Sequence, residues 1–269
     1  MEKLYILGHP VSHSKSPVMY NAAYEKLGLD WEYGFMDLPS VGEAEDFLKS
    51  KDYFSLNITT PYKPQAYEAA EMKAASAQLA HGVNLIANKD GHLLGFNVDG
   101  QGAVRFMERE GVDFMNAKVV VCGTGPTALS ILHACVIAGA AEVLLLGRDK
   151  QRAKQVMERY VEEYRHLAST AIPMPSAEDN HLAFVDAYEH ASYKFGSYES
   201  SKKAIAAADV IVDATVLGMS EGDPAPFDTS LLHEGQFVMD TVYGHGETAL
   251  MRDARQAGWP RCRATTHSI

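Results

Sequence analysis

The chain has 269 residues, of which 46% are hydrophobic and 22% charged, a balance typical of a globular protein with one large or two modest α/β domains. The formal net charge of −11 argues against nucleic acid as a partner, because phosphate binding requires a basic face. No apolar run approaches the roughly 18 residues that span a bilayer, so we expect no membrane association.

The amino terminus and the cysteines indicate a cytoplasmic protein. The chain begins Met-Glu-Lys-Leu-Tyr-Ile-Leu-Gly, which turns polar too soon for a signal peptide. Cys122, Cys135 and Cys262 have no metal-ligand spacing, and the first two lie in apolar runs. We therefore expect reduced thiols and no bound metal.

The first hundred residues predict an α/β unit. Strands are expected at 3–7, 31–36 and 54–58, helices at 17–27, 44–50 and 64–79, and a hairpin over 83–88 and 92–95. Pro17 suits the first turn of its helix, and Gly28 suits the end of that helix.

A helix from Asp99 or Gly100 to Glu110 is expected to join this unit to a second one. There the pattern predicts strands at 117–122, 142–146, 210–214 and 236–240, helices at 129–138 and 149–164, and a short helical turn at 228–232. Residues 165–200 are rich in Ser, Glu, His and Tyr, which favours one strand plus a surface excursion. That excursion is open to three interpretations: a flap over a cofactor, an interaction surface, or inert padding.

A glycine-rich run follows the strand at 117–122. It reads Gly123, Thr124, Gly125, Pro126, Thr127, Ala128 and precedes a helix and a further strand, the context in which such a run indicates dinucleotide binding. The first Gly permits a tight turn, the second lets the backbone approach a pyrophosphate, and the small Ala128 lets helix and strand pack closely. A plain strand–helix turn is the alternative.

The choice between NADP and NAD should be set at the end of the next strand, which reads Gly-Arg-Asp-Lys-Gln-Arg from Gly147. Arg148 and Arg152 could bind a 2′-phosphate, which favours NADP. Asp149 could bond a free ribose hydroxyl, which would leave NAD possible. Charges that merely cap and solvate the helix are a third interpretation.

Two turn-rich runs offer a lysine and a carboxylate. Asn-Ile-Thr-Thr-Pro-Tyr-Lys places Lys63 after a proline turn at a strand end, and Gly-Phe-Asn-Val-Asp-Gly places Asp99 at a helix start. Beside a bound nicotinamide, such a pair suits the oxidation of an alcohol, because the lysine passes the proton while the cofactor takes the hydride. The alternatives are a solvated lysine and an aspartate that, with Asn97, only caps the helix.

A third run, Ser-His-Ser-Lys-Ser-Pro from Ser12, places hydroxyls and main-chain donors before a helix. This arrangement suits a carboxylate or a polyol, and a serine-rich helix cap is the alternative.

Taken in chain order, these motifs resemble those of the shikimate dehydrogenase family, which includes the quinate/shikimate dehydrogenases. The resemblance covers almost the whole chain. The resemblance extends to Gly-Val-Asn84, Asp-Ala-Thr-Val-Leu-Gly-Met from Asp213, and Asp-Thr-Val-Tyr243. It implies an α/β fold with a substrate-binding and catalytic domain at 1–100, on which 247–269 pack back, and a Rossmann-like doubly wound dinucleotide-binding domain at 101–246.

The resemblance also implies NADP-linked interconversion of 3-dehydroshikimate and shikimate by a monomer or homodimer. Lys63 and Asp99 would be the catalytic pair, and Ser14 and Ser16 would hold the substrate carboxylate. The remaining implied contacts are Thr59, Asn84 and Tyr243 for the substrate, and Thr215 and Met219 for the nicotinamide side.

Several positions depart from the family pattern. Gly147-Arg148-Asp149 stands where the NADP enzymes have Asn-Arg-Thr or Asn-Arg-Ser, and Asp213 replaces an asparagine. The chain stops at Ile269, where relatives continue to a substrate-contacting glutamine, so it is expected to be either incomplete or a shortened relative. The alternatives are a quinate/shikimate dehydrogenase using NAD and a non-catalytic NAD(P)-binding relative.

Overall fold

The computed structural model describes residues 2–170 and 181–257, which form two compact units. The first unit ends at Asp99 and the second begins at Gly100. The elements of the first unit are β1 (Glu2–Gly8), α1 (Ser16–Leu27), β2 (Trp31–Asp37), α2 (Val41–Ser50), β3 (Ser55–Ile58), α3 (Lys63–Ala69), β4 (Met72–Lys73), α4 (Ala75–Ala80), β5 (Leu85–Lys89) and β6 (His92–Phe96).

The sheet of the first unit has the strand order β2-β1-β3-β5-β6-β4. Strand β1 pairs parallel with β2 and β3, whereas β5 pairs antiparallel with both β3 and β6. Strands β3 and β6 therefore run in the same direction, and their carboxyl ends lie at one edge. Apolar side chains fill both faces: Leu7, Leu48, Leu56 and Ile86 belong to one cluster, and Ile6, Tyr24 and Tyr33 belong to another.

The prediction of one helix over 64–79 is wrong, because β4 separates α3 from α4. Helix α3 stops where Ala70 adopts an extended backbone with ψ of 126°. The next amide, Glu71 N, donates to Leu93 O at 2.9 Å, and Met72 and Lys73 pair with β6. A short edge strand therefore replaces the predicted middle of the helix.

The second unit contains α5 (Asp99–Arg109), whose first residue lies at the boundary, and a parallel sheet with its helices. Its further elements are β7 (Lys118–Cys122), α6 (Pro126–Ile137), β8 (Glu142–Gly147), α7 (Lys150–Thr170), α8 (Phe184–His190), β9 (Ser192–Ser197), α9 (Lys202–Ala206), β10 (Val210–Asp213), β11 (Phe237–Asp240) and α10 (Ala249–Gln256), with 3₁₀ turns at Glu199–Ser201 and Thr229–Leu231.

This sheet has the order β11-β10-β7-β8-β9, and every pairing in it is parallel. The chain winds outward from β7 through β8 to β9, then returns to the other side of β7 for β10 and β11. The direction of winding thus reverses between β7 and β10, the place where doubly wound sheets bind ligands at their carboxyl ends. The predicted fold class, α/β with a Rossmann-like doubly wound unit, is confirmed.

The helices of the second unit differ from prediction at the start of α6, at the end of α7, and at α8 and α9, neither of which was predicted. Helix α6 begins at Pro126 rather than at residue 129, and α7 runs on to Thr170. Helix α8 stabilises the long α7, because the buried Tyr164 of α7 packs on Phe184 and donates from its hydroxyl to Phe184 O at 2.9 Å. Strand β9 is the strand expected within 165–200, and residues 171–180 of the expected excursion lie outside the described residues.

Helix α10 packs on β11 of the second unit, and the expectation that 247–269 pack back on the first domain stays a prediction. Leu250, Met251 and Ala254 are buried in one apolar cluster with Val238 of β11, which fixes the helix there. Residues 258–269 of that prediction lie outside the described residues. Among the described helices, none combines the length and the apolar character needed to cross a bilayer.

Candidate active site

Lys63 and Asp99 lie side by side in the first unit. Lys63 opens α3 after the turn that follows β3, and Asp99 opens α5 after β6. Because β3 and β6 end at the same edge, the two side chains meet, and Lys63 Nζ donates to Asp99 Oδ2. Each side chain is 12% exposed. The contact is therefore a shielded ion pair with a small opening, unlike a surface pair screened by water.

Asn84 holds the other carboxylate oxygen of Asp99. Its Nδ2 donates to Asp99 Oδ1 at 2.6 Å, while its Oδ1 accepts from Val98 N at 3.0 Å. The backbone donor fixes which way the amide points, so the NH₂ group faces the carboxylate. The resemblance implied only a substrate contact for Asn84, and its bond to Asp99 was not predicted.

Asn97, rather than Asp99, provides the side-chain cap at the start of α5. Asn97 Oδ1 accepts from Asp99 N at 3.2 Å, and its Nδ2 donates to Gly82 O at 2.9 Å. Both carboxylate oxygens of Asp99 bind side chains instead. Helix capping is therefore left to Asn97, and the Asp99 carboxylate is engaged with Lys63 and Asn84.

The serine loop after β1 forms a second cluster. Ser14 and Ser16 are buried, with their Oγ atoms 3.1 Å apart, and Ser16 N donates to Ser14 Oγ at 3.2 Å. The loop is tied down at Asp37, whose two oxygens lie 2.7 Å from His9 Nδ1 and 3.1 Å from Val11 N. The hydrogen bond from His9 holds the pKa of Asp37 below its usual value. Two hydroxyls are thus held together in a fixed loop.

Tyr33 links this loop to the strand that leads to Lys63, a connection the sequence did not reveal. The Tyr33 hydroxyl donates to Asn57 Oδ1 at 2.7 Å and also hydrogen-bonds Ser16, and burial raises its pKa. The Asn21 amide accepts from Tyr33 N at 2.8 Å and donates to Tyr33 O at 2.9 Å, so it ties α1 to β2. The one sequence signal for this connection was the position of Tyr33 on the inward-facing side of β2. Thr59 follows β3 and donates from its backbone to Leu7 O at 2.9 Å.

The glycine-rich turn of the second unit has two different glycines. Gly123 has φ of +116°, and a Cβ there would lie 2.7 Å from Ala214 O, so only glycine fits. A Cβ on Gly125 would meet no heavy atom within 4 Å. Open space therefore lies in front of α6, whose first turn carries no side-chain cap. This geometry suits a pyrophosphate, since a helix N-terminus presents a positive dipole end.

The end of β8 presents the charged residues considered for cofactor choice. Asp149 Oδ1 accepts from Gln151 N at 2.8 Å and from Arg152 N at 3.2 Å, so it caps α7. Arg148 and Arg152 are exposed at the same edge. The capping interpretation of Asp149 thus has direct support, while both arginines face solvent.

The loops after β10 and β11 carry the other predicted cofactor and substrate residues. Thr215 N donates to Asp213 Oδ1 at 2.9 Å, and Met219 lies four residues further along that loop, partly exposed. Tyr243 follows β11 in a loop held by Asp240, whose Oδ1 accepts from Val242 N at 2.9 Å. Asp213 and Asp240 are both buried, and neither was predicted as a site residue. In 2–170 and 181–257, no group of three or more His, Cys, Asp or Glu residues is arranged to hold a metal ion.

The two units define a class of protein: an oxidoreductase with a Rossmann-like dinucleotide-binding unit and a separate α/β unit that carries a shielded lysine–carboxylate pair. Comparison with known proteins narrows the class. The profile of the shikimate dehydrogenase substrate binding domain matches residues 6–86. The shikimate dehydrogenase (NADP(+)) of Rubrobacter xylanophilus is 32% identical over 257 residues, which cover 94% of this chain and 81% of that protein.

A second relative and a solved structure agree. The shikimate dehydrogenase (NADP(+)) of Symbiobacterium thermophilum is 32% identical over 260 residues, covering 95% of this chain and 81% of that one. The shikimate 5-dehydrogenase of Thermus thermophilus, solved in complex with NADP(H) and shikimate, has a TM-score of 0.75 and 26% identity, covering 96% and 85% of the two chains. The chain belongs to the shikimate dehydrogenase family.

Proposed function

We propose that this protein is an NADP-dependent shikimate dehydrogenase that interconverts 3-dehydroshikimate and shikimate, with Lys63 and Asp99 as its proton-transfer pair. The observation that carries the proposal is the shielded cluster in which Asp99 binds Lys63 through one oxygen and Asn84 through the other. The names of the similar enzymes and the ligands of the Thermus thermophilus complex support the choice of substrate and cofactor.

The two units bind different ligands. Residues 1–100 form the substrate-binding and catalytic domain, which the match of residues 6–86 to a substrate binding domain supports. Residues 101–246 form the NADP-binding domain, supported by the parallel sheet and the open cradle at Gly125. Residues 247–257 extend this second domain, since α10 packs on β11.

Bound NADP supplies hydride transfer. Its pyrophosphate would be held by the turn Gly123, Thr124, Gly125, Pro126, Thr127 and Ala128, with Thr215 and Met219 on the nicotinamide side. Arg148 and Arg152 would bind the 2′-phosphate. Asp149 caps α7 through its Oδ1, which supports NADP over NAD because that oxygen already accepts two backbone N–H groups.

The chain itself supplies the proton. In the direction of reduction, Lys63 donates a proton from Nζ to the ketone oxygen, and in the direction of oxidation Nζ takes the proton of the hydroxyl. Asp99 Oδ2 holds Nζ in position, and Asn84 fixes the plane of the Asp99 carboxylate. The low exposure of both charged groups strengthens this orientation, because fewer water molecules compete for the same hydrogen bonds.

Substrate recognition falls to neutral donors. Ser14 and Ser16 would hold the carboxylate of the substrate, which the buried, paired hydroxyls support. Thr59, Asn84 and Tyr243 would contact its hydroxyl groups. A site built on hydroxyls and amides selects a polyhydroxylated acid, since an analogue without those groups leaves buried donors unpaired.

Initial rates with purified protein test the proposal, with shikimate or quinate as substrate and NADP or NAD as cofactor, followed by the absorbance of the reduced cofactor. Turnover of shikimate with NADP above the other three combinations supports it. Faster turnover of quinate with NAD would favour the second candidate, for which a ribose contact by Asp149 is the motivating feature. No turnover in any combination would contradict both.

A further inference from the structure

Two buried carboxyl groups lie next to each other at the carboxyl ends of β10 and β11. Asp213 and Asp240 are the last residues of their strands and are register partners in the parallel pairing, so their side chains project from the same face of the sheet. Their residues are 1% and 0% exposed. The proton-transfer pair of Lys63 and Asp99 does not involve them.

The hydrogen bonds of the two carboxyl groups are unequal. Asp240 accepts from Val242 N at 2.9 Å through Oδ1 and from Thr248 Oγ1 at 2.6 Å through Oδ2, so both of its oxygens are satisfied. Asp213 accepts from Thr215 N through Oδ1, while its Oδ2 is buried without a hydrogen-bond partner in the described structure. Asp240 is therefore the better satisfied anion of the pair, although burial raises its pKa as well.

The groups that face Asp213 do not offset a negative charge. They are Asp240 from β11, Cys122 from β7 and Tyr198 from the segment after β9. Burial raises the pKa of the Cys122 thiol and of the Tyr198 hydroxyl, so both are neutral near pH 7. No Lys, Arg or His within the described ranges forms an ion pair with Asp213 or Asp240. Burial, followed by the charge of Asp240, raises the pKa of Asp213 to about 7.

Resting on the proposed function, we propose that protonated Asp213 is a positioning residue for dinucleotide binding. Its Oδ1 holds the loop from Thr215 to Met219 through the Thr215 N–H. When the proton leaves to solvent, two buried anions stand side by side without a cation, and their repulsion pushes the ends of β10 and β11 apart and displaces the loop. The affinity for the dinucleotide then falls.

The residue type matters to this inference. An asparagine at this position could accept the same N–H bond through its amide oxygen but could not ionise. Asp213 therefore adds a proton equilibrium that an asparagine would not have.

The test compares the full chain with Asp213→Asn in fluorescence titrations of reduced NADP between about pH 6 and pH 8.5. The ratio of the wild-type Kd to the variant Kd is expected to be near 1 at the lower pH. The ratio should rise to roughly thirty at the higher pH. The pKa of Asp213 is about 7, so only about one wild-type molecule in thirty is then protonated at Asp213 and able to bind tightly. The ligand's own ionisation cancels in this ratio.

Asp223→Asn is the matched control. Asp223 Oδ2 accepts from Gly218 N at 2.9 Å and Ser220 N at 3.0 Å in the same loop, but this residue is only half-buried. Its loss should weaken binding by the same factor at every pH. A wild-type to Asp213→Asn ratio that stays flat across the range would overturn the proposal.

Unfolding by urea separates this inference from the proposed function. The raised pKa of Asp213 gives stability that is present at low pH and lost as the pH rises through about 7. The wild type should therefore lose more stability over this range than Asp213→Asn does. Failure of both proteins to bind reduced NADP at about pH 6 would contradict the proposed function. Equal pH dependence of unfolding in the two proteins would overturn the protonation of Asp213, whatever the binding result.

Discussion

Gly125→Ala distinguishes a dinucleotide site from a plain strand–helix turn. Gly125 has φ of −91° and ψ of 177°, an extended backbone that alanine adopts freely. Its added Cβ would meet no heavy atom of the protein within 4 Å. The protein has room for the methyl group, and a pyrophosphate in front of α6 would take that same space.

The expected magnitudes follow from this geometry. Alanine is a poorer N-cap than glycine, which destabilises the fold, but it also lowers the conformational entropy of the unfolded chain, which stabilises the fold. Because the two effects oppose each other, the free energy of unfolding should change by less than about 1 kcal/mol. A methyl group forced against a bound phosphate costs about 1–3 kcal/mol. The Kd for reduced NADP should therefore rise roughly five- to 150-fold.

Fluorescence titration of reduced NADP and a urea unfolding curve measure the two quantities. Gly123→Ala is the contrasting variant, because its φ of +116° and the Ala214 O atom at 2.7 Å should cost about 1–3 kcal/mol of stability without any ligand. A folded Gly125→Ala protein that binds reduced NADP as tightly as the wild type would refute the assignment of the pyrophosphate to this turn.

Two further predictions concern Asn84 and His133. Asn84→Ala removes a donor from Asp99 Oδ1, so kcat for shikimate should fall roughly ten- to a hundredfold in initial-rate assays, and an effect on KM alone would contradict the positioning role. Buried His133 lies 3.1 Å from the Tyr160 hydroxyl through Nδ1, and burial lowers its pKa to about 4. As the pH falls, His133 is protonated in the unfolded chain before it is protonated in the folded protein. The free energy of unfolding should therefore fall by about 3 kcal/mol between about pH 6.5 and pH 4. Urea curves at the two pH values should show most of that loss disappearing in His133→Gln, and equal losses would contradict the assignment.

The sequence predicted the elements that depend on local pattern. Alternating and continuous apolar runs located the strands, and the order of strand, glycine turn and helix identified the doubly wound unit at Gly123. Lys63 and Asp99 were both singled out because each stands in a short turn-rich run, and their catalytic roles stay predictions. Their mutual contact was an inference from the chemistry, and the parallel direction of β3 and β6 provides its structural basis.

The rest depended on pairings between distant residues. The break at Ala70 follows from the bond of Glu71 N to Leu93 O, which helical periodicity does not reveal. The adjacency of Asp213 and Asp240 requires the register of β10 against β11. The two bonds of the Asn84 amide likewise exist only once β5 and β6 have paired. Periodicity shows which face of an element is buried, but not which polar atoms meet there.

The central claim is that Lys63 transfers the proton, and Lys63→Ala tests it most directly. Lys49→Ala, on the exposed side of α2, is the control. We expect kcat for shikimate oxidation with NADP to fall on the order of a hundredfold or more in Lys63→Ala and to be unchanged in Lys49→Ala. Binding of reduced NADP should persist in both. Turnover by Lys63→Ala within a few-fold of the wild type would contradict the account.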